Sequence, residues 1–229
     1  MVNVRKVCMY QKKMLVLWTK NIIEMKIFAV GMNYALHNKE LDGALYKPEE
    51  PVIFTKADSA LLKDGKPFFV PDWSERVDYE AELVVRISRL GKGIPARFAH
   101  RYYDAVTVGI DFTARDLQEK ARRKGSPWEI CKGFDGSAVI GTWVDVSRYK
   151  DIQSLHFHLD KNGQTVQDGF SGDMLYMIDE LIAYISTYFT LKTGDLLYTG
   201  TPVGVGPVKA DDHLEGWIEE QKVLDFMCK

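Results

Sequence analysis

Two glutamates two residues apart, Glu80 and Glu82 in Asp78-Tyr-Glu-Ala-Glu-Leu-Val-Val85, are the first residues whose types and spacing suggest chemistry. In a strand, alternate side chains share a face. Neighbouring carboxylates repel unless a proton or a cation lies between them, and hard divalent cations favour such oxygen pairs. Taken alone, the pair also describes a solvated strand face paired with Lys or Arg. Asp111-Phe-Thr-Ala-Arg-Asp-Leu-Gln118 adds a third carboxylate, a permanent cation and an amide. If a helix begins near Asp111, then Asp111, Arg115 and Gln118 share a face at i, i+4 and i+7. Arg115 would then offer a two-pronged clamp for a substrate carboxylate; an ordinary Asp–Arg pair at a helix start is the plainer alternative.

His37 and Glu40 are i, i+3 neighbours if their segment is helical. A carboxylate beside an imidazole orients the ring as a general base requires, although such a pair is also common on helix surfaces. Lys132 follows a turn in Cys131-Lys-Gly-Phe-Asp135, where it equally reads as a surface lysine. Thr201 lies in the loop Gly200-Thr-Pro-Val-Gly-Val-Gly206. That loop lacks the Gly-Lys-Ser/Thr ending of a phosphate-binding P-loop, which excludes that nucleotide site. Its glycines permit close backbone approach to a ligand, with the Thr201 hydroxyl at hand.

Short strands must position these groups. Apolar or β-branched runs predict strands over Ile27–Val30, Val52–Thr55, Val77–Ile87, Val106–Ile110, Val139–Val144, Leu155–Leu159 and Leu196–Thr199. Asn33–Leu45 reads as a short helix or loop. Helices are expected over Phe98–Val106, over Thr113–Lys124 (stopped by Gly125) and over Met174–Thr187. Asp64-Gly65 and Asn162-Gly163 are hairpin-turn signals. No internal repeat or linker interrupts this pattern, which describes one β-rich mixed α/β domain with a few helices.

The 229 residues are 46% hydrophobic and 27% charged, with a formal net charge of −2. That composition suits a globular domain with a sizeable core. The absence of a basic stripe with interleaved aromatics argues against nucleic acid as a partner, and no apolar run approaches the length of a membrane span. Cys8, Cys131 and Cys228 form no C-x-x-C pair and read as reduced thiols of a cytoplasmic protein. Residues 1–24 hold five basic residues and no acid before Glu24. They are expected to form an amino-terminal extension outside the fold, with an amphipathic helix packed on the domain as the alternative; the catalytic domain is expected over residues 25–229.

Taken in order, these motifs resemble those of the fumarylacetoacetate hydrolase family, in particular its short branch of acylpyruvate hydrolases and 2-hydroxyhepta-2,4-diene-1,7-dioate isomerases. The resemblance runs from about Met25 to about Asp212. It is carried by Gly31-Met-Asn-Tyr34 with His37 and Glu40, Val77–Leu83, Gly109–Gln118, Lys132–Asp135, Asn162-Gly163 and Thr199–Gly206. It implies a mixed β-sandwich roll, usually assembled as a homodimer. It also implies Mg²⁺ or Mn²⁺ on Glu80, Glu82 and Asp111; a substrate site lined by Arg115, Gln118, Lys132 and Thr201; and a water-activating dyad, His37 and Glu40, on a segment that is often a lid. The expected reaction is hydrolysis of a C–C bond in an acylpyruvate-type 2-oxo acid, with Lys132 assisting. Isomerisation of a 2-hydroxy-diene dioate, decarboxylation of oxaloacetate and a non-catalytic role are the alternatives. Three positions depart from the family pattern: Met32 stands where Arg is frequent, Ala57-Asp58 where prolines are common, and Ile110 where Asn is usual. Met32 and Ile110 flank the site and bear on substrate identity more than on the cation site.

Overall fold

The computed structural model describes residues 25–43 and 45–229; the extension expected over residues 1–24 lies outside them. The described chain is mixed α/β and strand-rich. Its strands are β1 (Ile27–Gly31), β2 (Val52–Lys56), β3 (Leu61–Leu62), β4 (Val77–Tyr79), β5 (Ala81–Ile87), β6 (Tyr103–Asp111), β7 (Thr113–Ala114) and β8 (Ala138–Ile140), followed by β9 (Val144–Asp145), β10 (His156–Lys161), β11 (Gln164–Phe170), β12 (Leu196–Tyr198), β13 (Gly206–Pro207), β14 (His213–Ile218) and β15 (Gln221–Met227). The largest sheet runs β2-β1-β12-β5-β6-β8-β3, with β9 also paired to β6; a second runs β11-β10-β14-β15, and a small third runs β13-β4-β7. Five helices flank them: Ala35–Asp42, Ala96–Ala99, Arg115–Lys124, Glu129–Lys132 and Ile178–Tyr188.

The long antiparallel pair β5–β6 forms the spine. Ala81, Leu83 and Val85 on β5, with Val106, Val108 and Ile110 on β6, enter the main core. The helix Ile178–Tyr188 closes that core with Ile178, Leu181, Ile182 and Ile185, at the i, i+3, i+4 and i+7 spacing of an amphipathic helix. Alternation then sends Glu82 and Val84 of β5 to the opposite face of the sheet. The register pairs Ala81 with Ile110 and Glu82 with Gly109, and the Asp111 N–H donates to the Glu80 carbonyl at 2.8 Å. The pleat therefore brings Glu80, Glu82 and Asp111 to one face at one end of two adjacent strands.

Several elements differ from the sequence reading. The helix expected over Phe98–Val106 is a single turn, Ala96–Ala99, and Tyr103–Asp111 is strand; β-branched Val106, Thr107 and Val108 favour the sheet. Asp111 ends that strand, and the helix begins only at Arg115, so Asp111 does not share a helical face with Arg115 and Gln118. Asp64 and Gly65 both have positive φ, 63° and 64°, yet no hairpin follows, because β3 pairs in parallel with β8. The hairpin at Asn162-Gly163 forms as read, with φ of 55° and 75° between paired Lys161 and Gln164.

Candidate active site

Glu80, Glu82 and Asp111 are 5%, 1% and 0% exposed. Each offers one carboxylate oxygen to a set whose members all lie within 4.8 Å of one another. Three buried carboxylates so close need a proton or positive charge between them, and an all-oxygen, anionic donor set fits a hard divalent cation such as Mg²⁺ or Mn²⁺. Burial pushes the Glu82 carboxyl well above the ordinary carboxylate range, and the charges of Asp111 and Glu80 push the same way. Burial acts upward on Glu80 too, but Lys132 and Arg115 outweigh it and hold that carboxyl below the usual range. A second group, His213, Glu215 and Asp225, meets the same spacing. It is more exposed, and Lys222 Nζ already bridges its carboxylates at 2.9 and 2.7 Å.

Two cationic side chains hold the buried set, and an amide backs one of them. Lys132 Nζ donates to Glu80 Oε2 at 2.7 Å and to Asp111 Oδ2 at 2.8 Å. Burial would lower the Lys132 ammonium, and these two carboxylates hold it above its ordinary value. Arg115 donates through Nη2 to Glu80 Oε1, through Nη1 to Gln118 Oε1 (both 2.6 Å) and through Nε to Asp78 Oδ2 at 2.8 Å. Because its oxygen faces Arg115, the Gln118 amide turns its NH₂ group elsewhere.

Glycine at position 200 has a geometric reason. Its φ of 98° disfavours a side chain, and a Cβ there would lie 2.7 Å from Asn33 Cβ. In this conformation the Gly200 N–H donates to Glu82 Oε2 at 2.6 Å. The adjoining Thr201 hydroxyl donates to the Ala81 carbonyl and accepts from Gln167 Nε2, both at 2.8 Å.

The pocket above the carboxylates is lined by His37, Arg115, Gln118, Lys132 and Thr201, and by Met32, Phe54, Arg122 and Trp128. Phe54 and Trp128 form an edge-to-face pair with ring centres 5.6 Å apart. His37 Nδ1 lies 3.1 Å from Glu40 Oε2, and Glu40 also accepts the Gly204 N–H at 3.1 Å. The dyad residues are thus paired with each other and tied to the glycine-rich loop, with the imidazole at the pocket and the carboxylate behind it. All nine residues singled out from the sequence lie in or directly behind this pocket.

The chain matches the family described as "Fumarylacetoacetate (FAA) hydrolase C-terminal" over residues 26–225. It belongs to the fumarylacetoacetate hydrolase family. It is 45% identical to an uncharacterized protein of Pyrococcus horikoshii over 201 residues, 88% of this chain and 86% of the relative. It is 36% identical to the mitochondrial oxaloacetate tautomerase FAHD1 of Mus musculus over 212 residues, 93% of each chain. The fumarylpyruvate hydrolase of Pseudomonas aeruginosa, solved in complex with Mn²⁺ and pyruvate, superposes with a TM-score of 0.83 at 32% identity, covering 89% of this chain and 88% of that one. Members of the fumarylacetoacetate hydrolase family include hydrolases and tautomerases, and this chain carries an acidic group able to bind a divalent cation.

Some residues of the site escaped the sequence reading. Lys56 is fully buried at the end of β2, with Nζ 2.6 Å from Asp111 Oδ1. Burial lowers its ammonium against the opposing charge of Asp111. Asp78 is fully buried and is held by Arg76 Nε and Arg115 Nε, each at 2.8 Å. Lys56 gives only a faint signal, a lysine closing an apolar strand. Asp78 lies two residues before Glu80, at the spacing of the Glu80–Glu82 pair, and that period was the available signal. Met32, on the pocket wall, has φ of 61°, a costly conformation for a large side chain.

Proposed function

We propose that this protein is a divalent-cation-dependent enzyme that cleaves a C–C bond in acylpyruvate-type 2-oxo acids with water. The observation that carries this reading is the His37–Glu40 pair, which points an oriented imidazole into the pocket above three clustered carboxylates. Glu80, Glu82 and Asp111 would hold a Mg²⁺ or Mn²⁺, which would supply Lewis acidity toward the 2-oxo acid group of the substrate.

The protein side chains supply the remaining steps. Arg115 and the Gln118 NH₂ orient the substrate carboxylate. His37, steadied by Glu40, takes a proton from water as the water oxygen bonds to the distal carbonyl carbon. The Lys132 ammonium meets the negative charge that develops on the substrate oxygens. The bond between that carbon and the methylene breaks, its electron pair passing to the pyruvate fragment as an enolate. Return of the proton to the methylene carbon gives pyruvate and a carboxylic acid.

A second reading is a proton shift between tautomers of oxaloacetate. The 36% identity to a protein named oxaloacetate tautomerase favours it, and His37 would be the proton carrier. Diene-dioate isomerisation and oxaloacetate decarboxylation use the same carboxylate set. The proposal includes a homodimer acting in the cytoplasm, supported by the family resemblance and by the cysteine usage. Among the described residues, no helix is long and apolar enough to cross a membrane.

Product analysis decides among the reactions. The protein with Mg²⁺ or Mn²⁺ is incubated with acetylpyruvate, fumarylpyruvate, enol-oxaloacetate and a 2-hydroxy-diene dioate. Pyruvate plus an acid in equal amounts supports the hydrolase. Faster keto–enol conversion without cleavage replaces it with the tautomerase.

A further inference from the structure

Lys132 Nζ donates to Glu80 Oε2 and Asp111 Oδ2, and each carboxylate of the set has one further oxygen beside another protein cation or N–H. Glu80 Oε1 takes Arg115 Nη2 at 2.6 Å. Glu82 Oε2 takes the Gly200 N–H at 2.6 Å. Asp111 Oδ1 lies 2.6 Å from Lys56 Nζ. The Lys56 side chain is 0% exposed, and Lys56, unlike Arg115, is not among the residues lining the pocket.

The Lys56 ammonium is fixed from behind as well. It donates to the Lys132 carbonyl and, at 3.1 Å each, to the Ser137 carbonyl and hydroxyl. Ser137 Oγ donates to the same Lys132 carbonyl at 2.8 Å, and the Phe112 N–H donates to the Ser137 carbonyl at 2.9 Å. This anchored cation therefore reaches Asp111 and the backbone that carries Lys132 together. Asp111 Oδ2, on Lys132 Nζ, is left as the oxygen facing the pocket.

We propose that Lys56 is a positioning residue that makes Asp111 a one-oxygen ligand and so sets the preference of the site for a small octahedral cation over Ca²⁺. This inference rests on reading the three carboxylates as a cation site. Mg²⁺ takes six ligands in near-ideal octahedral geometry, whereas Ca²⁺ takes six to eight, often with both oxygens of a carboxylate. With Lys132 Nζ drawn back from Glu80 Oε2 and Asp111 Oδ2, three single oxygens would fill half an octahedron and would leave room for a chelating 2-oxo acid and one water. The same three oxygens are a poor start for Ca²⁺, because Lys56, Arg115 and the Gly200 N–H hold the second oxygens away.

The test measures Mn²⁺ and Ca²⁺ affinities of the full-length protein by calorimetry, together with the electron paramagnetic resonance spectrum of bound Mn²⁺. The wild type is expected to favour Mn²⁺ over Ca²⁺ by about 100-fold or more. Lys56→Met removes the ammonium at similar length and frees Asp111 Oδ1. The lost charge favours both cations alike, so the ratio of affinities is the readout. That ratio should shrink by about tenfold or more, and the Mn²⁺ spectrum should change. Lys132→Met, which touches only the pocket-facing oxygens, should keep the wild-type ratio. If Lys56→Met does not fold, Ser137→Ala loosens the ammonium and should move the ratio in the same direction. Equal wild-type affinities for the two cations would overturn the inference, as would an unchanged ratio in a folded Lys56→Met or Ser137→Ala protein. A wild type that binds neither cation would instead overturn the proposed function.

Discussion

Replacing Gly200 with alanine perturbs the fold and the site through one methyl group. The backbone there has φ of 98°, and leaving the conformations open to L-residues costs about 1–2 kcal/mol. The new Cβ would lie 2.7 Å from Asn33 Cβ and 3.3 Å from the Val30 carbonyl oxygen. Neither neighbour yields readily. The Asn33 side chain is fixed by hydrogen bonds to the Thr199 and Tyr176 carbonyls, at 2.8 and 3.0 Å. Forcing extra volume into packed surroundings costs about 1–3 kcal/mol, so the total is about 2–5 kcal/mol. In a domain of this size each kcal/mol moves the melting temperature by about 2–4 °C, which gives a drop of roughly 10 °C. The same shift pulls the Gly200 N–H off Glu82, where it is a 2.6 Å charge-assisted bond. Mn²⁺ affinity should therefore fall along with stability. Differential scanning fluorimetry with and without Mn²⁺, followed by calorimetric titration, measures both effects. A melting point within 2 °C of wild type would refute the steric argument, and unchanged Mn²⁺ affinity would refute the role of the amide.

Three further outcomes are expected. His37→Ala should slow acylpyruvate hydrolysis by about 10²–10⁴-fold while sparing cation-assisted oxaloacetate decarboxylation, whereas Glu80→Ala should abolish both; steady-state rates on the two substrates check this, and wild-type hydrolysis by His37→Ala would remove the imidazole from the mechanism. Asp78→Asn sets an amide against two guanidinium groups at a fully buried position; it should cost about 3 kcal/mol, read as a lower denaturant midpoint, and should raise KM for the substrate more than it lowers kcat. Burial pushes the Cys228 thiol from its ordinary 9.0 up to about 12. Between those values the unfolded chain loses this proton while the folded chain keeps it, so folding stability should fall as pH rises through that window. Cys228→Ala should flatten that slope in urea titrations between pH 8 and pH 10.

The candidate site residues are more legible in the sequence than the elements that carry them. Glu80 and Glu82 announce themselves because the strand period is two and both lie on one short run. His37 and Glu40 are equally local. Asp111 clusters with the glutamates, but from the end of a strand rather than from the start of a helix. It reaches them through the β5–β6 register, a contact across some thirty positions that no local pattern encodes. The strand beginning at Tyr103 was missed at its start for a related reason. Its first residues look helical in isolation and become strand because β5 supplies a partner along their length. Lys56 lies 55 positions before Asp111 and 76 before Lys132 in the chain, so its role exists only once β2 and the Glu129–Lys132 turn are packed together.

The site is divided between deep and peripheral elements, and that division bears on how such proteins diversify. The carboxylates are rooted in the spine of the largest sheet, where a substitution disturbs the core. The His37 imidazole, by contrast, comes from a short helix whose Leu36 is 59% exposed, and the aromatic wall comes from an edge strand and a loop residue. Substitutions can therefore reshape the helix Ala35–Asp42, Met32 and the Phe54–Trp128 wall while leaving the carboxylate set in place. A chain built this way can change which molecule it presents to the carboxylates without rebuilding the sheet that carries them.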